Sequence, residues 1–316
     1  MKPAPDFISK ALGAASQNKY FVFALIVFVA VACGSRMYAN TKINFDRQGH
    51  RGARGLMPEN TIPAMLKAVD EGVTTLEMDV VITMDSQVVL SHEPFMNAEI
   101  ALKPDGSSIA SADARTHNIY KMNYEEVAKY DVGSKPHPRF PQQQKAKVHK
   151  PLLTDVIAAV EAYTVKNKLP QVQYNIETKC NQATDNIFHP EPPRFVDLLV
   201  AVVKQNKIAG KTTIQSFDIR SLQYLHAAYP QIQSALLIEE DDSTTFEKQL
   251  VALGFQPTVY SPLYSHVTPQ LVKDCRSKKI KLIPWTVNDL QKMQALKNLG
   301  VDGIISDYPN LFKELK

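Results

Sequence analysis

Two carboxylates, Glu77 and Asp79, stand two positions apart inside the apolar run Thr75 to Val81. Side chains of an extended strand alternate between faces. Glu77, Asp79 and Val81 therefore share one face, and Leu76, Met78 and Val80 the other. Acids on such a strand are costly unless paired, hydrogen-bonded or bound to metal. A surface strand with a polar face is the plainer reading, but Val81 continues the acid side, and the pair is read as a cation site. His50-Arg51-Gly52 precedes this strand and Ser91-His92-Glu93 follows it. Arginine presents a planar fork of donors matched to phosphate oxygens. Histidine titrates near neutral pH, so two of them can serve as acid and base. One cation, one arginine and two histidines suit attack on a phosphodiester. Each residue alone is more often structural; the convergence carries the reading, and it must be spatial as well as sequential.

The residues His50-Arg51-Gly52, Pro58-Glu59-Asn60-Thr61, Glu77-x-Asp79, Thr83-x-Asp85 and His92 follow one another in this order. Together they resemble the glycerophosphodiester phosphodiesterase family. The resemblance implies a (β/α)8 TIM barrel with a small insertion after the second strand. It implies hydrolysis of small-molecule glycerophosphodiesters to an alcohol and glycerol 3-phosphate, with water or the substrate's own hydroxyl as nucleophile. It also implies one divalent cation held by Glu77, Asp79 and Glu177, with Glu59 as a further, direct or supporting, ligand. All-oxygen ligands favour Ca2+ or Mg2+ over zinc. Lys179 matches a phosphate contact assisting Arg51, and Trp285, within Pro284-Trp285-Thr286-Val287-Asn288, matches a residue lining the substrate groove. The plainer readings are a helix-dipole role for Glu59, a salt pair for Glu177 and Lys179, and a core position for Trp285. Two residues depart from the pattern: Ser86 replaces a turn glycine, and Glu93 stands where the family favours Asp. For proton transfer the chain neighbours suggest an assignment. Arg51 disfavours a charged His50, making it the base, and Glu93 favours a charged His92, making it the acid.

The elements that must carry these residues follow from pattern. The chain has 316 residues and a 44% hydrophobic composition, which suits one barrel of about 250 residues plus extras. Of the formal charge of +4, Lys2, Lys10, Lys19 and Asp6 contribute +2, leaving +2 for the rest. Nothing in that balance indicates a nucleic-acid surface. Residues 1–33 read as a targeting segment: three lysines precede the apolar run Tyr20 to Cys33, which is shorter than the ~17–25 residues of a comfortable span. Small residues Ala30-Val31-Ala32 suit cleavage, and Cys33-Gly34 also resembles a lipoprotein signal. The expectation is a periplasmic or secreted protein, free or attached to a membrane through a lipid on Cys33. Cys33, Cys180 and Cys275 match neither a disulfide framework nor a zinc pattern.

The catalytic domain is placed at 42–316, with 42–49 as the first strand on resemblance alone because its polarity is a poor strand pattern. A helix follows Asn60 or Thr61 as cap, and Gly72 stops it. Residues 95–150 are polar and irregular, too long for an ordinary loop, and read as the insertion, with a helix over 124–129. His117, His137 and His149 fall in it and are expected on the surface. From Pro151 onward helices alternate with strands at 173–179, 211–217, 232–238, 256–261, 280–286 and 301–306, which implies a parallel sheet. Ser216-Phe217-Asp218, Tyr260 and Asp307 lie at strand ends, where barrel sites are built. Two other functions fit the same residues. One is a related TIM-barrel phospholipase, C- or D-type, on lipid phosphodiesters. The other is an inactive surface binding lipoprotein, against which the intact set His50, Arg51, Glu77, Asp79, His92 and Glu177 argues.

Overall fold

A computed structural model describes residues 45–316; the targeting segment lies outside them. Eight strands form a parallel ring: β1 (Asp46–Gly49), β2 (Thr75–Ile82), β4 (Gln173–Thr178), β5 (Thr212–Ser216), β6 (Gln233–Ile238), β7 (Val259–Pro262), β8 (Lys281–Leu282) and β9 (Gly303–Ser306). The short β3 (Val88–Leu90) pairs antiparallel with β2. Backbone bonds from Asp302 to Leu282, Ile305 to Pro284 and Val287 to Ile305 join β8 to β9 and close the ring. Helices α1 (Ile62–Asp70), α2 (Leu153–Asn167), α3 (Pro192–Gln205), α4 (Ile219–Ala228), α5 (Phe246–Leu253), α6 (Pro269–Ser277) and α7 (Leu290–Leu299) alternate with the strands, and a 3-10 turn at Pro309–Lys313 stands in for the last. The expected (β/α)8 barrel is the observed one. Among the described residues no helix is long and apolar enough to cross a membrane.

Strand alternation explains the composition. Leu76, Met78, Val80, Tyr174, Ile176, Ile214, Leu236, Tyr260 and Ile304 belong to the large core shared with the helices. The opposite parity faces the barrel interior, which divides in two. On the β6 to β9 side Ala235, Val259, Ile283 and Ile305 form an apolar layer. On the β1 to β5 side the layer is polar. Asn175 Nδ2 donates to Gln48 Oε1 and to Gln215 Oε1, each at 2.8 Å, and Gln215 Nε2 donates to Glu77 Oε1 at 2.7 Å. Buried polar groups need such partners. This layer is why β1 has no apolar alternation, although Gln48 is buried.

Two spans differ from expectation. The strand expected over 280–286 is a ladder only at Lys281–Leu282, because Pro284 has no N–H to give; Ile283 and Trp285 still donate to Tyr260 and Pro262. Residues 95–150, read as a polar and irregular insertion, form a small layer with its own core. Met96, Ala101, Ile109, Ile119, Val127 and Val132 pack on Val81 and Val89, and the expected helix is one turn, Tyr124–Val127. Val81 therefore does not continue the acid face into the barrel; it roots the insertion.

Candidate active site

The first strand ends in a tight turn. Arg51 has φ of 50° and Gly52 of 83°. A Cβ on Gly52 would lie 2.6 Å from the Ala64 carbonyl carbon, so only glycine lets α1 approach this closely. The strained Arg51 backbone is held because its N–H donates to Glu77 Oε2 at 2.8 Å. Its guanidinium is fixed by Glu59 at 2.8 Å and Asp79 at 3.3 Å. Thr61, not Asn60, caps α1. Asn60 has φ of 54°, an orientation asparagine tolerates, and its amide donates to Asp79 Oδ2 at 2.8 Å. The Pro-Glu-Asn-Thr motif thus orients the site as well as starting a helix.

Glu77, Asp79 and Glu177 converge, with one oxygen from each lying within 4.8 Å of the others. Asp79 and Glu177 are direct cross-strand partners, a like-charge juxtaposition that costs energy when nothing lies between them. Burial, followed by Asp79, pushes Glu77 well above its ordinary pKa. Burial likewise raises Glu177 to about 7, against the opposing pull of Lys179. For Asp79 burial works upward too, but Arg51 and then Lys179 outweigh it and keep the group ionised. Asp79 Oδ1 is buried without a hydrogen-bond donor. Three buried carboxylates, one with an unmatched oxygen, fit a hard cation. Lys179 Nζ sits 2.6 Å from Glu177 and 3.6 Å from Asp79.

Both histidines are pinned by carboxylates. His50 Nδ1 lies 2.6 Å from Asp307 Oδ1, and His92 Nδ1 lies 2.9 Å from Glu93 Oε1. A carboxylate accepts, so each Nδ1 is assigned the proton and each Nε2 is left free. Asp307 is itself held by Asn288 Nδ2 at 2.7 Å and Arg54 Nε at 3.0 Å. Burial would raise it, but His50 and Arg54 lower it to about 2. Burial lowers the pKa of both imidazoles; Asp307 opposes this at His50, while Lys179 and Arg51 add to it at His92. A carboxylate is therefore not peculiar to His92, since His50 has one too, supplied by Asp307 just after β9. His50, Arg51, His92, Glu177, Gln215 and Trp285 line one cavity of about 200 Å3. Trp285 packs edge-on against Phe217 at 5.5 Å and donates Nε1 to the Ser261 carbonyl. It is a wall of the cavity, and only partly buried.

Glu59 is outside the converging trio. Its oxygens face Arg51 at 2.8 Å, His137 at 3.7 Å and Arg54 at 3.8 Å. Burial would raise it, yet Arg51 and His137 hold it well below its usual range. It orders the arginine rather than completing the trio. His137, expected on the surface, is buried with its side chain 1% exposed, because the insertion folds back over the β1 turn. His117 is half-buried against Tyr130, and His149 is exposed as expected. Arg54, Gln215 and Arg139 line the cavity without having been singled out. Arg54, three positions after Arg51, and Gln215, on the inward parity of β5, were within reach of pattern; Arg139 gave no sign. Cys180 and Cys275 are buried free thiols.

Comparison with known proteins finds relatives of the same fold. The family model described as "Glycerophosphoryl diester phosphodiesterase family" matches residues 50–311. The glycerophosphodiester phosphodiesterase of Caldanaerobacter subterraneus subsp. tengcongensis is 28% identical over 264 residues, covering 82% of this chain and 93% of the relative. A crystal structure of a Silicibacter pomeroyi DSS-3 protein assigned as a glycerophosphoryl diester phosphodiesterase superposes with a TM-score of 0.76 at 27% identity, over 86% of this chain and 92% of that one. An Oleispira antarctica phosphodiesterase, solved in complex with the product sn-glycerol-3-phosphate, shares the fold with a TM-score of 0.66 at 23% identity, over 85% and 96% of the two chains.

Proposed function

The chain belongs to the glycerophosphoryl diester phosphodiesterase family, and from that premise we propose that it hydrolyses soluble glycerophosphodiesters to sn-glycerol 3-phosphate and an alcohol with the help of one divalent cation. The observation that carries the reading is the convergence of Glu77, Asp79 and Glu177 beside Arg51 and two carboxylate-pinned histidines in one cavity. Glu77, Asp79 and Glu177 would hold Ca2+ or Mg2+, which when bound polarises a phosphate oxygen and neutralises its charge. Arg51, locked by Glu59 and Asp79, presents donors to the phosphate and stabilises charge that grows in the transition state. Lys179 adds positive charge at the edge of the same carboxylates.

Water attacks phosphorus, the bond to the leaving alcohol breaks, and the departing oxygen takes up a proton. Attacking and leaving oxygens lie roughly in line, so one histidine cannot serve both. His50 Nε2, free of hydrogen, takes the proton of water; His92 acts from its doubly protonated form, Nδ1 staying on Glu93 while Nε2 gives its proton to the alcohol. The Trp285 wall excludes water from one side of the cavity and offers the glycerol carbons an apolar surface.

The test is product analysis by phosphorus NMR after removal of metal and after return of Ca2+ or Mg2+. Glycerol 3-phosphate released only with metal is the expected result. Full activity after exhaustive chelation would overturn the cation. A cyclic phosphate would mean attack by the substrate's hydroxyl, and cleavage of intact lysophospholipids in preference would shift the reading to a phospholipase.

A further inference from the structure

The insertion places one guanidinium at the cavity that the reaction above does not use. Arg139 lines the same cavity as His50, Arg51, His92 and Trp285. Its position is set by the chain on both sides. Before it, His137 is buried against Glu59, and His137 Nδ1 accepts the Arg139 backbone N–H at 3.2 Å. After it, the Phe140 ring lies under the Arg54 guanidinium at 4.7 Å. Gln143 Nε2 donates to the Arg54 carbonyl at 2.7 Å, and the Gln144 N–H donates to Leu56. A segment tied at four points over the β1 turn holds Arg139 at the mouth rather than leaving it adrift.

The three cavity arginines differ in how they are neutralised. Arg51 has Glu59 and Asp79, and Arg54 has Asp307 and Glu59, all buried. Among the described residues the one carboxylate paired with Arg139 is Glu99, at 3.3 Å, with the two side chains 54% and 47% exposed. An exposed pair of this kind contributes little, so Arg139 can exchange it for a ligand at small cost. Burial first, then Arg51, and more weakly Arg139, lower the pKa of Arg54, which places Arg139 within electrostatic reach of it. An anion between these two guanidiniums relieves their repulsion.

We propose that Arg139 makes the enzyme selective for diesters whose leaving alcohol carries a negative charge of its own, a carboxylate or a phosphomonoester. The inference rests on the hydrolysis proposed above. There the single charge of the diester goes to Arg51 and the cation that the carboxylate trio would hold. Glycerol is neutral, so a further anion must sit on the alcohol.

The test compares three diesters of sn-glycerol 3-phosphate whose alcohols are glycerol, glyceric acid and phosphoglycerol, assayed with added Mg2+ and with added Ca2+. The quantity read is the ratio of kcat/KM for each charged diester to that for the neutral one. The native enzyme should favour at least one charged diester, and which one identifies the anion. Arg139→Gln should lower that ratio about tenfold, as expected for one charge-assisted hydrogen bond, and Arg139→Lys should keep part of it. Glu99→Gln, which frees the guanidinium, should raise the ratio roughly two- to threefold. Equal ratios in native enzyme and Arg139→Gln, or a fall in Glu99→Gln, overturn the proposal while the hydrolysis stands. Turnover of none of the three diesters overturns both.

Discussion

Replacing Glu177 by Gln should make the metal-free protein more stable while it disables the enzyme. Glu177 is 6% exposed, and its pKa rises from an ordinary 4.5 to about 7. That figure already nets burial and Asp79 against the attraction of Lys179. The folded chain therefore prefers the protonated side chain, which glutamine imitates. Because the folded value is raised, the penalty is absent below pH 4.5, grows between 4.5 and 7, and is complete above 7. At about 1.4 kcal/mol per pKa unit its full size is on the order of 3 kcal/mol. At roughly 2–4 °C per kcal/mol for a domain of this size, Tm should rise by roughly 6–12 °C. The assay is denaturant unfolding of both proteins from pH 4.5 to 8.5, first after chelation and then with Ca2+ or Mg2+. Without metal the variant should gain over the native protein as pH rises. With metal the native protein should recover most of the difference, since ligand binding stabilises only the folded state, and activity of the variant should be lower by about 10²-fold or more. A variant less stable than native at pH 8 without metal, or a difference flat in pH, would refute the argument from crowded like charges.

Four further outcomes are expected. Losing His50 or His92 should cost roughly 10²–10⁴-fold on a natural diester; on a nitrophenyl ester, whose leaving group needs little protonation, His92→Ala should recover and His50→Ala should not, and the reverse pattern would swap their roles. Asp307→Asn should lower kcat by up to about 10²-fold by releasing the His50 ring, and should lower stability near neutral pH by about 2 kcal/mol. Because the folded pKa of Asp307 is depressed from 3.8 to about 2, that loss should fade as pH falls through this window in acid unfolding. Ser86→Gly should stabilise by about 1 kcal/mol in thermal unfolding, since Ser86 holds a φ of 62° that glycine adopts without strain. Mass spectrometry of the protein from its native host should find an N-terminus at or near Cys33, with a diacylglyceryl mass for a lipid anchor or none for free export; an intact Met1 would count against cleavage.

The cation trio was readable because its chemistry is local. Parity along one strand put Glu77 and Asp79 together, and β4 brought Glu177 opposite Asp79 in the register that a parallel barrel requires. The strand β1 was not readable by pattern, because its inward residues are polar and are satisfied by Asn175 across the barrel. His50 and Asp307 are 257 positions apart, and only ring closure joins them. Asp307 could be marked as a strand-end residue but given no task. The insertion concealed most. Its polarity and prolines suggested an irregular insertion, whereas its sparse apolar residues collapse on Val81 and Val89, bury His137 and hold Arg139 at the cavity mouth. Glu59 was read by motif as a direct or supporting ligand of the cation, and its nearest charges are Arg51 and Arg54. Ser86 occupies a left-handed turn that suits glycine, and nothing in the structure explains the serine.

The amides lining the polar half of the barrel run with a fixed hydrogen-bond polarity. Gln215 donates to Glu77, while its oxygen accepts from Asn175. Asn175 donates in turn to Gln48, and Gln48 Nε2 donates to Asp46. The chain therefore runs outward from Asn175 to a carboxylate at each side, and Asn175 Oδ1 is its one buried acceptor without a donor. With Arg51 N–H on Oε2 and Gln215 N–H on Oε1, both Glu77 oxygens already face donors. A proton on either oxygen would point at a hydrogen, and turning the Gln215 amide to receive it would break the bond to Asn175. Burial and Asp79 push Glu77 to take up a proton, and the floor beneath it is wired to refuse one. What relieves that conflict is positive charge without a hydrogen attached, so the wiring of the barrel floor biases the pocket toward ions over protons.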